Sequence, residues 1–304
     1  MALVRCKVVL LLLAAACCFP RSAAACSVCG CGDPLLPATD ATPVAGALRV
    51  DLLGEHLTAT ARSDDDPRYI EALRQFTLRA TAAYSPTDRL AFVLQAPLVW
   101  KFWRLEGAGK SARPVGLGDI DVGARLFVFE LTSLARQRRQ SLGVTAGSSL
   151  PTGPDDSTAG GARIDQHAQL GTGAFGPYAG LIYRWQGDPL SWFGSFSTRT
   201  HTTNSFGYRF GTALLWSLLG QYQLGDSVVL SLGVDGRMAV RDTSNGEAQL
   251  DTGGLVLSLT PGGLVRLHRE LWFTARVQVP VLTHLFGEQT VGPVVTGGLE
   301  YAVF

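Results

Sequence analysis

From about Leu48 to Phe304 the chain repeats short stretches in which apolar residues take every second position. In Leu271 to Leu282 the odd positions Leu271, Phe273, Ala275, Val277, Val279 and Val281 suit hydrocarbon, and the even positions include Thr274, Arg276 and Gln278, which suit water. A period of two places alternate side chains on opposite faces of a strand. Twelve such segments are predicted, near 47–61, 73–85, 89–102, 118–130, 140–150, 172–186, 190–202, 208–224, 228–240, 253–267, 271–282 and 291–304.

The links between them mostly alternate in length. Polar or long links (Arg62 to Pro67, Arg104 to Val115, Pro151 to Leu170, Arg241 to Thr252) are followed by tight ones such as Pro86 to Asp88, Gly187 to Pro189 and Gly225 to Ser227. Leu131 to Arg139 is of intermediate length. Transmembrane barrels have this rhythm, with short turns at the periplasmic end and longer loops outside. An even strand count then places both termini in the periplasm. No self-similarity beyond the hairpins is visible, which argues against a solenoid or propeller.

The two faces differ in charge. The third segment sets Leu90, Phe92, Leu94, Ala96, Leu98, Trp100 and Phe102 against Gln95 and Lys101. The fourth sets Ile120, Val122, Ala124, Leu126 and Val128 against Asp119, Asp121 and Arg125, and the ninth sets Val228, Leu230, Leu232, Val234 and Met238 against Ser231, Asp235 and Arg237. An arginine on the lipid face at the bilayer midplane would cost roughly 2–4 kcal/mol, so the charged face is assigned to the interior. The lumen-facing candidates are Arg79, Asp119, Asp121, Arg125, Arg184, Arg199, Asp235, Arg237, Arg276 and Glu300. Charges of both signs fit a selective solute pathway, and they equally fit ion pairs that fill a narrow lumen. Several of Trp100, Trp103, Trp185, Trp192, Trp216 and Trp272 are expected in the interfacial girdles.

Composition narrows the setting. Hydrophobic residues make up 46% and charged residues 17% of the chain, yet past the N-terminus no run approaches the ~18 apolar residues of a membrane helix. Arg5 and Lys7, the apolar stretch Val8 to Ala16 and the small residues Ala23 and Ala25 predict a signal peptide over residues 1–25. Without it the formal charge is close to zero, which gives no basic excess for nucleic acid. Cys26, Cys29 and Cys31 follow the cleavage point, and residues 47–304 contain no cysteine. A body free of cysteine is compatible with export through an oxidising compartment.

Glycine-rich stretches add a family resemblance. Gly116 to Arg125 reads Gly-Leu-Gly-Asp-Ile-Asp-Val-Gly-Ala-Arg, and Ser149 to Gly153 (Ser-Leu-Pro-Thr-Gly) is followed by Leu170-Gly171-Thr172-Gly173. These resemble an outer-membrane "transporter" family labelled putative phenol-degradation meta-pathway protein. The resemblance spans most of residues 47–304 and implies a barrel and passage of hydrophobic or aromatic compounds. The C-terminus departs from the usual barrel ending: Phe304 is aromatic, but the apolar alternation Leu299, Tyr301, Val303 is one residue out of step with it.

Candidate chemistry is sparse. Cys26, Cys29 and Cys31 have spacings that suit a soft metal, a disulfide or a tether, and a lipidated Cys26 is a further reading. A fourth metal ligand is missing nearby. Twelve strands also occur in an outer-membrane phospholipase family with a His/Ser/Asn triad. Here the nearest approach is His201 with Thr203 two residues on, so no enzyme is predicted.

The sequence therefore predicts an all-β protein of the Gram-negative envelope. Residues 1–25 are a signal peptide, 26–46 a short Cys-rich periplasmic segment and linker, and 47–304 a single antiparallel up-and-down barrel of about twelve strands in the outer membrane. Its expected partners are outer-membrane lipid, the barrel-insertion machinery and a small-molecule solute, with no cofactor unless the cysteine cluster holds a metal. The inward polar face and the resemblance together predict a passive channel. The alternative is a non-conducting scaffold whose cysteine cluster engages a metal or a periplasmic partner.

Overall fold

The computed structural model describes residues 43–63, 68–133 and 138–303. The signal peptide, the cluster of Cys26, Cys29 and Cys31, and Phe304 lie outside these residues. Twelve long strands carry the alternating segments: β1 (Leu48–Arg62), β2 (Ile70–Tyr84), β3 (Leu90–Glu106), β4 (Ile120–Ser133), β5 (Arg138–Leu150), β6 (Gly176–Gln186), β7 (Leu190–Arg199), β8 (Ala213–Leu224), β9 (Val228–Ala239), β10 (Gly254–Arg266), β11 (Leu271–Leu285) and β12 (Val294–Val303). Each pairs antiparallel with the next, and β12 returns to β1 with Leu52 opposite Leu299 and Asp51 opposite Glu300. The sheet is a closed twelve-strand barrel, which leaves no backbone edge for lipid to meet.

The outer face is an apolar belt. Phe92, Leu94, Leu181, Phe196, Leu218 and Leu232 are each about half exposed, as expected for side chains that meet acyl chains instead of a protein core. The inner face mixes small, polar and charged residues, among them Thr77, Arg79 and Thr81 of β2 and Ser141, Thr145 and Ser149 of β5. Tyr178 of β6 lies inside, against Gly123 and Gly147; a Cβ at either glycine would come within 2.2 or 2.4 Å of its hydroxyl oxygen. Those glycines let an aromatic ring lie flat across three strands.

Strict alternation breaks in two places. In β11 the register shifts opposite Leu257 and Ser258, so Val281 and Leu282 both face outward, 60% and 49% exposed. Odd-position facing therefore holds through Val281 and gives way at Leu282. The extra residue of a β-bulge resets the parity, and Pro280, which has no amide hydrogen to donate, adjoins the break. In β4 the same device exposes both Val128 and Phe129.

Three strands start later than the pattern predicts, each for a local reason. Residues 170–174, ahead of β6, are drawn into contacts with the loop that precedes them. Tyr208–Arg209 pairs with Thr243–Ser244 instead of extending β8. Gln289–Val291 pairs with β1, and Gly292 and Pro293 separate it from β12. Of the tryptophans, Trp103 is a correction to the girdle expectation. It is 5% exposed and turned inward, because it shares the odd, interior parity of β3.

Candidate functional site

The Pro151–Phe175 link between β5 and β6 folds inward and fills the long-loop end of the barrel. Gly160 and Gly161, both at positive φ, turn a two-residue hairpin that joins Thr158–Ala159 to Ala162–Arg163, and a 3-10 turn follows at Gln166–Ala168. Double glycine is favoured in such a turn because both central residues need φ above zero. Ala159, Ile164 and Ala168 of this loop pack on Leu73 and Trp103, which point in from β2 and β3. These apolar side chains on the inner wall are the seat of the loop.

Polar bonds fix the seated loop. Gln169, 1% exposed, donates to the carbonyls of Ser157 and Ile164 (3.1 and 2.9 Å) and accepts from the Ser157 amide at 2.7 Å. Lys101 Nζ donates to the carbonyls of His167, at 2.8 Å, and Gln169. Buried amides and ammonium groups must be paired in this way to avoid a desolvation penalty.

At the foot of the loop the glycine-rich motifs meet. Asp119 Oδ1 accepts from the Gly153 amide at 3.0 Å, and Oδ2 accepts from both the amide and the hydroxyl of Thr172 at 2.7 and 2.6 Å. Thr152 Oγ1 donates to the Gly118 carbonyl and accepts from the Ile120 amide. A Cβ at Gly153 would stand 2.8 Å from the Gly171 Cα and 2.9 Å from the Gly118 carbonyl carbon. A Cβ at Gly171 would stand 2.2 Å from the Gly153 carbonyl oxygen, so these two backbones can approach only as glycines. Burial pushes the Asp119 carboxyl above its ordinary value against these hydrogen bonds. Asp119, expected as a lining residue, stands just before β4 and also serves as a clamp for the loop.

At its tip the loop bonds to two others. His167 Nε2 lies 2.8 Å from Asp242 Oδ2, Tyr208 donates its hydroxyl to the same oxygen at 2.6 Å, and the Gly211 amide donates to Oδ1 at 2.7 Å. Burial would raise the Asp242 carboxyl, but the hydrogen bond and charge of His167, with Tyr208 and Gly211, hold it below the usual range. Phe210 sets its edge against His167, with ring centroids 5.1 Å apart, and also touches Tyr208 and His201. Burial, then the positive charges of Arg199 and Arg237, push the His201 imidazole down to about 3.

Beneath the seated loop a cavity of about 100 Å³ remains. Leu73, Pro97, Val99, Leu170 and Phe210 give it apolar surface; Thr77, Gln95, Ser149 and charged groups give it polar surface. Of the sequence candidates, Arg79, Asp119, Asp121, Arg199 and Arg237 line this cavity. Arg199 Nη2 and Asp121 Oδ1 pair at 2.8 Å, and Arg79 Nη2 lies 3.6 Å from Glu55. Arg199 also lies over the Tyr178 ring, 5.2 Å from its centroid.

The other candidates lie apart from the cavity. Arg125 and Arg184 are buried, with Arg184 over the Phe127 ring. Asp235 accepts from Gln278 at 3.0 Å and from Thr260. Arg276 and Glu300 are half-buried, and Glu300 stands opposite Trp272. Sequence reasoning missed His167, Gln169, Tyr208, Phe210 and Asp242. His167, Gln169 and Asp242 lie on links without periodicity, and Tyr208 and Phe210 fall within the predicted segment 208–224, whose strand begins only at Ala213.

A closed barrel with an apolar outer belt and an inturned loop over a polar interior defines an outer-membrane barrel protein. The chain belongs to the family described as "Putative MetA-pathway of phenol degradation", whose model matches residues 68–278. Among curated proteins none matches the sequence. Among solved structures, an outer-membrane channel from Pseudomonas putida F1 is similar with a TM-score of 0.63 at 16% identity, covering 88% of this chain and 98% of that one. The translocator domain of the autotransporter NalP from Neisseria meningitidis gives a TM-score of 0.48 at 14% identity over 87% of this chain and 90% of its own.

Proposed function

We propose that this protein is a passive, non-enzymatic channel for small solutes, with its long loops outside and both termini in the periplasm. The observation that carries the proposal is the cavity under the inturned loop, inside a closed wall and lined by both apolar and polar groups. A pore filled by apolar side chains would have no use for the polar surface of Thr77, Gln95 and Arg237. A merely rigid barrel would have no use for a loop folded into its mouth. The alternation of short turns and long loops supports the orientation.

The cavity suits a single-ring compound bearing a polar group. Phe210 and Val99 offer faces for a ring, while Gln95, Thr77 and the arginines offer partners for a hydroxyl or carboxylate. The family description names phenol degradation, and the similar structure from Pseudomonas putida F1 is called an outer-membrane channel; both support this reading.

The test is planar-bilayer recording and solute uptake by liposomes, on the wild type and on a variant in which residues 154–170 are replaced by a short Gly-Ser linker. Gly153 and Gly171 are in contact, so the excision joins neighbouring backbone. The wild type should pass small phenolic solutes with low conductance, and the excised variant should conduct several times more. Absence of conductance and uptake in both proteins would refute the channel reading.

A further inference from the structure

On the outer face of the barrel, at the long-loop end, three arginines surround one aromatic ring. Phe102 of β3 stands directly opposite Arg74 of β2. The guanidinium of Arg104 lies 5.7 Å from the Phe102 ring centroid, and that of Arg113 lies 5.1 Å from it. All three arginines are exposed. None of them makes an ion pair among the described residues. Glu106, two residues beyond Arg104 on the same strand, is not paired with them.

Their height on the barrel gives the patch its meaning. Arg74 is two residues from the outward Phe76, and Arg113 is two residues from the outward Val115, which is 55% exposed. Phe76 and Trp100 touch, with ring centroids 5.5 Å apart, on the side of the patch that faces the apolar belt. The arginines therefore begin where the hydrocarbon ends, at the level of lipid headgroups. Thr60, Ser148, Pro177, Thr198, Met238 and Val240 are uncharged positions near the same end of other strands, whereas Arg62 there pairs with Glu288 and the exposed Arg241 lies over the Phe286 ring.

We propose that Arg74, Arg104 and Arg113 form a binding site for the phosphate groups of an anionic lipid in the leaflet at the long-loop end. A guanidinium presents a planar fork of donors that matches phosphate oxygens two at a time. Three such forks beside one ring can hold a phosphate from several sides, while Phe76, Trp100 and Val115 below accept the acyl chains. This site lies on the outside of the wall and does not depend on what crosses the lumen.

The experiment is native mass spectrometry of the detergent-solubilised full chain, titrated with a bis-phosphorylated hexa-acyl disaccharide lipid. The same lipid without phosphates and inorganic phosphate alone are run in parallel. The variant R74Q/R104Q/R113Q should bind the phosphorylated lipid about a hundredfold more weakly, from the usual contribution of a basic residue at an anionic surface. A matched variant, R89Q/R138Q/R269Q, removes the same charge at the short-turn end and should lose less than about threefold. Equal loss in both variants, no loss in the first, or retention of the dephosphorylated lipid at wild-type strength would overturn the proposal. So would competition by inorganic phosphate at the lipid's own concentration, which would mark a site for a soluble anion. Heat-modifiable gel mobility reports folding, and the single variants R104Q and R113Q carry the test if the triple variant fails to fold.

Discussion

At the scale of single residues, a nearly dry ion pair in the interior ties two strands, β4 and β7, together. Asp121 and Arg199 keep 10% and 8% of their side-chain surfaces. Removing one partner leaves a buried charge without its counterpart, which costs about 3–5 kcal/mol. Asp121→Asn should therefore lower the stability of the detergent-folded barrel by that order in denaturant titration. D121N/R199M should lose less than the two single variants summed, because the pair is removed as a unit.

His201 sets a pH dependence whose sign follows from its depressed value. Released to water, its imidazole takes a proton as pH falls through 6.5; in the closed mouth it stays neutral until about 3. Acid therefore favours the open form throughout that window. Asp242 adds to this only lower down, as pH falls through its own depressed value. The charged groups around His201 are Arg199, Arg237, Arg209 and Asp242. Protease cleavage within residues 154–170 should increase as pH drops from 6.5 toward 3, and His201→Gln should flatten the response. The inward direction of Asp121 and Arg199 was legible from the period of two. Their pairing was not, because the period says nothing about which residues meet across a lumen.

At the scale of elements, strands and loop obey different rules. The strands are legible because each alternates apolar and polar residues, and the places where the pattern misleads are the bulges at Val128 and Val281. The loop has no period to read. What showed in the sequence was a set of glycines, with Asp119 and Thr172, lying 53 residues apart. Only the folded chain brings Gly118, Gly153 and Gly171 into contact. Asp119→Ala would leave the amides of Gly153 and Thr172 without their acceptor, at about 1–3 kcal/mol for each buried group. That exceeds what an alanine-sized packing change can offset, so the loop should leave its seat while the wall stays closed. The expected result is higher single-channel conductance with unchanged heat-modifiable mobility. Wild-type conductance in D119A would show that the clamp does not hold the loop.

At the scale of the whole molecule, the barrel and its belt were visible from alternation, and the filled mouth was not. Leu73 and Trp103 read as ordinary members of a strand until the loop that covers them is known. The residues that clamp the foot of the loop are Asp119, Thr152, Gly153, Gly171 and Thr172. Leu73, Lys101, His167, Gln169 and Asp242 hold it further along and also line the cavity, while Thr77, Gln95, Val99 and Arg237 face the cavity without a part in those contacts. Of the foot residues, Asp119, Gly171 and Thr172 also line the cavity. On the proposed channel reading, Thr77, Gln95 or Arg237 could be exchanged to admit a different solute without loosening the clamp at the foot of the loop. The glycine-rich stretches that carry the family resemblance are the ones that shut the mouth, so the resemblance speaks to a way of closing, and on the channel reading the solute is left to the residues beneath it.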